Sequence, residues 1–288
     1  MTDLKALVGR HSTRQFEIRR ANAYTVVETD SVATEEPLEI RLGYSLPTGE
    51  RSETSISITM RTPGNDEELA LGFLFGEGII VRGEDVQGVR PCGPPAANGL
   101  INVIRVELAD DVRVELGRLE RHFYTSSSCG VCGKASLEAV AVHGRFDISA
   151  SPFSISRAAL DQLPEQLLKQ QALFAQTGGL HASGLFNKQG EVLAVREDVG
   201  RHNAFDKLVG SQLRAKAIPL LNAGIVVSGR ASFELLQKAM VAGCPMVAAV
   251  GAPSSLAVEL ANEFGLTLVG FLRHDNFNIY THPERVLL

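Results

Sequence analysis

No stretch of the 288-residue chain approaches the roughly eighteen uncharged apolar residues that a membrane-spanning helix requires. The nearest run, around Ile218 to Val227, is short and broken by Gly224. The opening "MTDLKALVGRHSTRQFEIRR" has no apolar signal core. A cytoplasmic protein with no membrane partner is therefore expected. An excess of basic residues is also missing: 28 Lys and Arg face 33 Asp and Glu, a formal net charge of −5. That balance excludes a general nucleic-acid binder and confines any anion site to a local basic cluster. Cysteine is scarce, with only Cys92, Cys129, Cys132 and Cys244. In a reducing compartment these four suit reactive or metal-binding roles better than staples. Internal repeats and low-complexity segments are absent.

What remains is a globular composition, 44% hydrophobic and 21% charged. The length allows one large domain or two modest ones. Residues 1–20 are polar, basic and aperiodic, and read as a loose arm. Residues 21–125 read as a strand-rich N-terminal domain. "PLEIRL" alternates Leu38, Ile40 and Leu42 against Glu39 and Arg41, and "SISITMR" does the same through Ile56, Ile58 and Met60. Pro63-Gly64 turns the chain. Asn65, with Glu68 three residues on, marks the start of the apolar helix "ELALGFLFGEG". "PCGPPAANG" reads as a loop, and "LINVIRVEL" and "VRVEL" as strands. Residues 126–150 form a polar connection with a short helix from Ala135 to Val142.

Residues 151–288 are more regular. A helical pattern from Ser156 to Gln176 restarts at Pro164 in a tolerated first-turn position. "LHASGLF" and "VLAVRED" form a hairpin around "NKQGE", and a helix runs from Asp198 to about Leu213. Strands "GIVVSG" and "MVAAVG" then alternate with helices closed by Gly243 and Gly265, and "LTLVGFLR" is the last strand. Buried strands alternating with amphipathic helices imply a sheet covered on both faces, an α/β domain within an α+β chain.

"SSSCGVCGK" places Cys129 and Cys132 three apart ahead of a helix. Zinc, a disulfide and a reactive thiolate are all open to such a pair. A helix N-terminus and the adjacent Lys134 would lower a thiol's pKa, and Gly130 and Gly133 free the backbone. Zinc would need two further ligands, for which Cys92, Cys244, His122 and His143 are the candidates. A second dense region spans "TGGLHASGLF" and "VREDVGRHNAFDK". With Asp198 as N-cap, Arg201, His202 and Asn203 ride the first turn of a helix and Arg196 lies just before it. This is a basic helix start suited to phosphate, or equally a solvated one balanced by Glu197, Asp198 and Asp206. Further strand-to-helix junctions supply Ser228, Gly229 and Arg230, then Gly251, Ser254 and Ser255. Such junctions gather at the carboxyl ends of strands, where ligands bind. After the last strand come Phe271, Leu272, Arg273, His274, Asp275 and Asn276. Phe271 there is either a base-stacking platform or an ordinary core residue.

Taken together, "EEPLEIR", "MRTPGNDEELALGFLFGEGII", "SSSCGVCGK", "TGGLHASGLF", "REDVGRHNAFDK", "SGRASFELLQKA", "APSSLAVELA" and "GFLR…NIYTHPERV" resemble the FdhD/NarQ family of formate dehydrogenase accessory sulfurtransferases. The likeness runs from about Glu36 to the C-terminus. It implies a sulfur carrier that takes sulfur from a cysteine desulfurase as a persulfide on Cys129, with Cys132 as partner. The implied client is the molybdenum bis(molybdopterin guanine dinucleotide) cofactor of formate dehydrogenase, so a GDP-like ligand is expected. Residues 271 to 276 match the family's cofactor-contacting stretch. A homodimer and a C-terminal three-layer αβα fold like that of cytidine deaminases are also implied. A deaminase would need Glu two residues after His181, where Ser183 stands, and a Cys pair downstream of it. No tightly bound zinc is therefore expected. A cofactor-binding chaperone without sulfur chemistry is the alternative.

Overall fold

A computed structural model of the chain describes residues 11–21, 25–114 and 146–288. The first element is a hairpin of β1 (Thr13–Ala21) and β2 (Thr25–Ala33). Residues 13–20 of the stretch expected as a loose arm are thus strand. Both of its faces are largely exposed, so no apolar alternation marks it. Cross-strand pairs hold it instead: Arg20 with Glu28 and Gln15 with Ser31.

Four strands make the N-terminal sheet in the order β4-β3-β6-β5. They are β3 (Glu36–Ser45), β4 (Arg51–Arg61), β5 (Val86–Pro91) and β6 (Val103–Leu108). Leu38, Ile40, Leu42, Ile104 and Val106 fill its buried face. On β4 the expected alternation fails. A register shift opposite Ile40 and Arg41 leaves Ile56 buried but turns Ile58 and Met60 to solvent. Val112 to Val114 are not strand, and the rest of "VRVEL" lies outside the described residues. Helix α1 (Asp66–Gly76) follows β4. Asn65 precedes it with φ 57 and makes no side-chain cap, so the expected capping box does not form.

The second sheet has six strands in the order β13-β12-β11-β10-β8-β9. Its members are β8 (His181–Phe186), β9 (Val192–Asp198), β10 (Gly224–Val227), β11 (Met246–Ala249), β12 (Thr267–Arg273) and β13 (Asn276–Thr281). Strands β10, β11 and β12 are parallel, and the flanking ones antiparallel. β12 is thus not the last strand. β13 covers its outer side with a half-exposed pattern that gives little hydrophobic signal. Two further strands, β7 (Ile155–Ser156) and β14 (Val286–Leu287), pair in parallel.

Helices α4 (Arg201–Arg214), α5 (Phe233–Val241) and α6 (Ser255–Glu263) cover one face. There Ile225, Val227, Val247, Ala249 and Leu268 join the core that also contains the N-terminal sheet. Helix α2 (Arg157–Gln170) covers the other, where Val226, Met246, Ala248 and Val269 meet Leu160, Leu163 and Leu167. Pro164 sits inside α2 rather than restarting it. The buried Leu stripe carries the helix past the lost hydrogen bond, and the break falls at Gln171, ahead of α3 (Ala172–Thr177). The two halves of the chain share one core through crossed helices. A Cβ at Gly72 of α1 would sit 1.9 Å from the Asp206 carbonyl oxygen, and one at Gly210 of α4 would sit 1.9 Å from that of Glu68.

Candidate functional site

The parallel strands deliver three loops to one edge of the second sheet, and the backbone stays laced beyond them. Val250 N–H donates to Val227 O at 3.0 Å, Gly251 N–H to Gly229 O at 2.9 Å, and Phe271 N–H to Gly251 O at 3.0 Å. No side chain fits at Gly251, where a Cβ would lie 2.8 Å from Gly229 O and 2.9 Å from the Arg230 backbone. The sequence marks Gly251 only as a junction residue; the close approach explains it.

At this edge Phe271 adopts φ 53 with 45% of its surface exposed. A bulky residue in the left-handed region is strained, and one left nearly half exposed recovers only part of the burial energy a core position gives. The ordinary-core reading of Phe271 therefore does not hold. Its neighbour Leu272 is fully buried in the α2-side core and offers a ligand only its backbone. Arg273 donates from Nη1 to Val250 O at 2.6 Å, pinning β12 to the next loop. Exposed His274 and Asp275 pair at 2.6 Å, with Asp275 also left-handed at φ 65. Asn276 opens β13 opposite Arg273. Arg230 is exposed and, among the described residues, has no ion-pair partner.

The other expected residues divide. Ser228 accepts the Ala182 N–H on its Oγ at 2.9 Å, closing β8 against β10. Arg196 does not join the edge: it holds Glu68 of α1 by two bonds, one of 2.8 Å, and its charge is neutralised there. Arg201 stands at the first turn of α4 with a buried Nε that, among the described residues, has no hydrogen-bond partner. His202 Nε2 lies 3.2 Å from Ser232 Oγ and 3.0 Å from Glu234 Oε2. Burial pushes its imidazole down to about 4 despite Glu234. Burial, then the Arg201 cation, also lowers the pKa of His181. Both rings are thus neutral at pH 7, and the positive charge of the edge comes from Arg201, Arg230 and Arg273.

Asp198 is not the N-cap of α4; Gly200 is. Its carboxylate is fully buried and accepts from Gly200 N–H (2.8 Å), Asn203 Nδ2 (3.1 Å) and Thr62 N–H (3.1 Å), with Lys207 Nζ at 2.7 Å. Lys207 Nζ also donates to Thr62 O at 2.8 Å. This cluster ties the turn after β4 to the loop that presents Arg201 and His202. Sequence reasoning missed Lys207 and Thr62, because no local pattern links positions so far apart.

Cys129, Cys132, His122, His143 and the expected Ala135–Val142 helix lie outside the described residues. Cys244 is fully buried, bonded to Met246 O, and burial pushes its thiol up to about 12, so it is no nucleophile. Among the described residues no group of three or more His, Cys, Asp and Glu could hold a metal ion, and no helix is long and apolar enough to cross a membrane.

Known proteins match this chain over nearly its whole length. Residues 33–287 match the family described as FdhD/NarQ. A relative from Mycolicibacterium paratuberculosis called sulfur carrier protein FdhD is 51% identical over 268 residues, covering 91% of this chain and 93% of its own. One of the same name from Streptomyces coelicolor is 48% identical over 284 residues, covering 98% of both. A crystal structure from Desulfotalea psychrophila, assigned as a formate dehydrogenase accessory protein, superposes with a TM-score of 0.70 at 25% identity, covering 96% of this chain and 99% of that one. This mixed α/β chain belongs to the FdhD/NarQ family.

Proposed function

We propose that the protein is a sulfurtransferase that carries sulfur as a persulfide on Cys129. The observation that carries this reading is the family match from 33 to 287, which spans "SSSCGVCGK", together with relatives named sulfur carrier proteins. The Cys129 thiolate attacks the outer sulfur of a cysteine desulfurase persulfide. A new S–S bond forms on Cys129, the desulfurase S–S bond breaks, and its thiolate leaves. Attack of the Cys132 thiolate on the inner Cys129 sulfur then breaks the persulfide S–S bond, forms a Cys129–Cys132 disulfide and frees the outer sulfur as sulfide to the molybdenum bis(molybdopterin guanine dinucleotide), the client awaiting insertion into formate dehydrogenase; an external thiol reduces the disulfide for the next cycle. Cys132 is close enough in sequence to assist that release, and a homodimer is the expected carrier form. One Cys pair and Ser183 two residues after His181 give no complete zinc set, so the function needs no resident zinc.

Incubation with a desulfurase and cysteine, followed by intact mass measurement, tests the sulfur step. Sulfur removable by a reductant should appear on Cys129. Equal loading of Cys129→Ala, with the sulfur mapped to Cys92, would reject the assignment.

The laced strand ends are the reading's nucleotide site. An exposed, strained Phe271 suits stacking on a guanine, and Arg230 and Arg273 suit its phosphates. Calorimetry should show GDP binding more tightly than ADP. Phe271→Ala should lose about 1–3 kcal/mol of GDP affinity, and Arg230→Ala should weaken it too, while Cys129→Ala should leave it unchanged. Indifference to both substitutions would remove this site and leave the sulfur step standing.

A further inference from the structure

The β1–β2 hairpin leaves large apolar side chains in water. Its ladder sets Phe16 opposite Asp30, Ile18 opposite Glu28, Arg20 opposite Val26 and Arg14 opposite Val32. Directly opposed residues point to the same side of a ribbon. One face therefore gathers Phe16, Ile18, Val26 and Val32, and Phe16 and Val26 keep about half of their surface exposed. The cations among them are already paired, Arg20 with Glu28 and Arg14 with Glu36. A two-stranded ribbon is marginal by itself in water. Among the described residues this one joins no further strand, and β2 rests beside α3.

A second uncovered surface lies on β4, the end strand of its sheet. Past the register shift opposite Ile40 and Arg41, Ile58 and Met60 stand on its solvent side, Ile58 with 68% of its surface exposed. The stretch from Thr54 to Met60 has no charged residue and no proline, two devices that commonly protect an exposed end strand. Within one chain the hairpin and β4 do not pair. Ser12, just ahead of β1, donates from Oγ to Pro63 O at 2.8 Å and so fixes the hairpin at the turn after β4. From there the hairpin runs beside α3, and both apolar surfaces stay open.

We propose that these two surfaces form one interface between two copies of this chain, in which a twofold lays the apolar face of each hairpin over β4 of the other copy. The homodimer of the proposed function supplies the second copy, and the assignment rests on that reading there alone. Charge fits the pairing. The hairpin face carries Arg14 and Arg20 against Glu28 and Asp30, so it brings no net charge to an uncharged stretch of strand. Area fits as well. Strands of nine residues make a ribbon face of about 30 by 10 Å. Covering it removes about 300 Å² from each partner, and reciprocal exchange doubles the total to about 1,200 Å², the lower end of what stable complexes bury. One contact alone would fall short, which is why both hairpins take part.

Sedimentation velocity of the full chain over a range of concentrations tests the interface. The parent should run as two chains. Phe16→Lys on the hairpin and Ile58→Glu on β4 should each weaken association about tenfold or more, because each buries a charge that has no partner. Both positions are exposed in the single chain, so each variant should still fold, and Val26→Lys reads the hairpin if Phe16→Lys does not. Mixing the two variants should restore the two-chain species. One of its contacts is then native, and the other sets the new ammonium against the new carboxylate. A hairpin-to-hairpin or β4-to-β4 contact would answer to one variant, ignore the other and gain nothing from mixing. A parent that runs as one chain, sensitivity to only one of the two sites, or a mixture that stays dissociated overturns the inference. Sulfur loading at Cys129 and GDP binding are read on the same samples. Their loss in a parent that dimerises falls on the proposed function and leaves the interface standing.

Discussion

Buried charge is the most consequential choice this chain makes at single residues. Asp198 and Lys207 are both essentially inaccessible and 2.7 Å apart. Such a pair gains little over an apolar one, but losing one partner strands the other in the interior. Lys207→Met should therefore destabilise the protein by about 3–5 kcal/mol in urea unfolding. A change under about 1 kcal/mol, the range of an exposed pair, would show that Asp198 is held by Asn203 and its backbone donors without Lys207. Phe271 is the opposite case, with strain kept where the side chain is exposed. It belongs to neither buried core cluster, which is why function is the better account of it.

Among elements, the crossing of α1 and α4 decides how the N-terminal sheet reaches the site. Glycine inside a helix ordinarily costs about 1 kcal/mol relative to alanine. At Gly72 the opposing Asp206 carbonyl leaves no room for a methyl group. Gly72→Ala should thus lower stability by roughly 1–3 kcal/mol through overpacking, against its helix propensity. A higher Tm would mean that the crossing is looser than its geometry. The same crossing lets Glu68 bond Arg196, which removes an expected phosphate ligand and makes it a tie between the halves.

For the whole molecule, stability should depend on pH through the buried imidazoles. His202 titrates at about 4 in the folded chain and His181 is lowered as well, both chiefly by burial, while unfolded histidine titrates near 6.5. Through these two rings the unfolded chain binds more protons than the folded one between about 4 and 6.5, so their contribution to stability rises with pH across that window and is lost as pH falls through it. Buried Asp206, whose carboxyl burial pushes up to about 6, opposes them over the same range. His202→Gln should flatten the slope of urea-unfolding free energy against pH between those limits. An unchanged slope would assign the acid sensitivity to other groups.

By itself the sequence determined the longer elements that bury a face, though not the short strands β5, β7 and β14. The β8–β9 hairpin, the parallel strands β10, β11 and β12 and their intervening helices are all visible as apolar periodicity, because burial selects residues at a local spacing. It also placed Phe271, Arg230, Ser228 and Arg201 at the carboxyl edge, since strand ends follow from strand order. Strands β1 and β13 stayed hidden because exposed faces need no apolar alternation. The tertiary structure alone decided that Arg196 meets Glu68, that Asp198 meets Thr62 and Lys207, and that Gln171 lines a cavity with His181 and Ser228. These are encounters between residues far apart in the chain or across a space, and a local pattern carries no information about either.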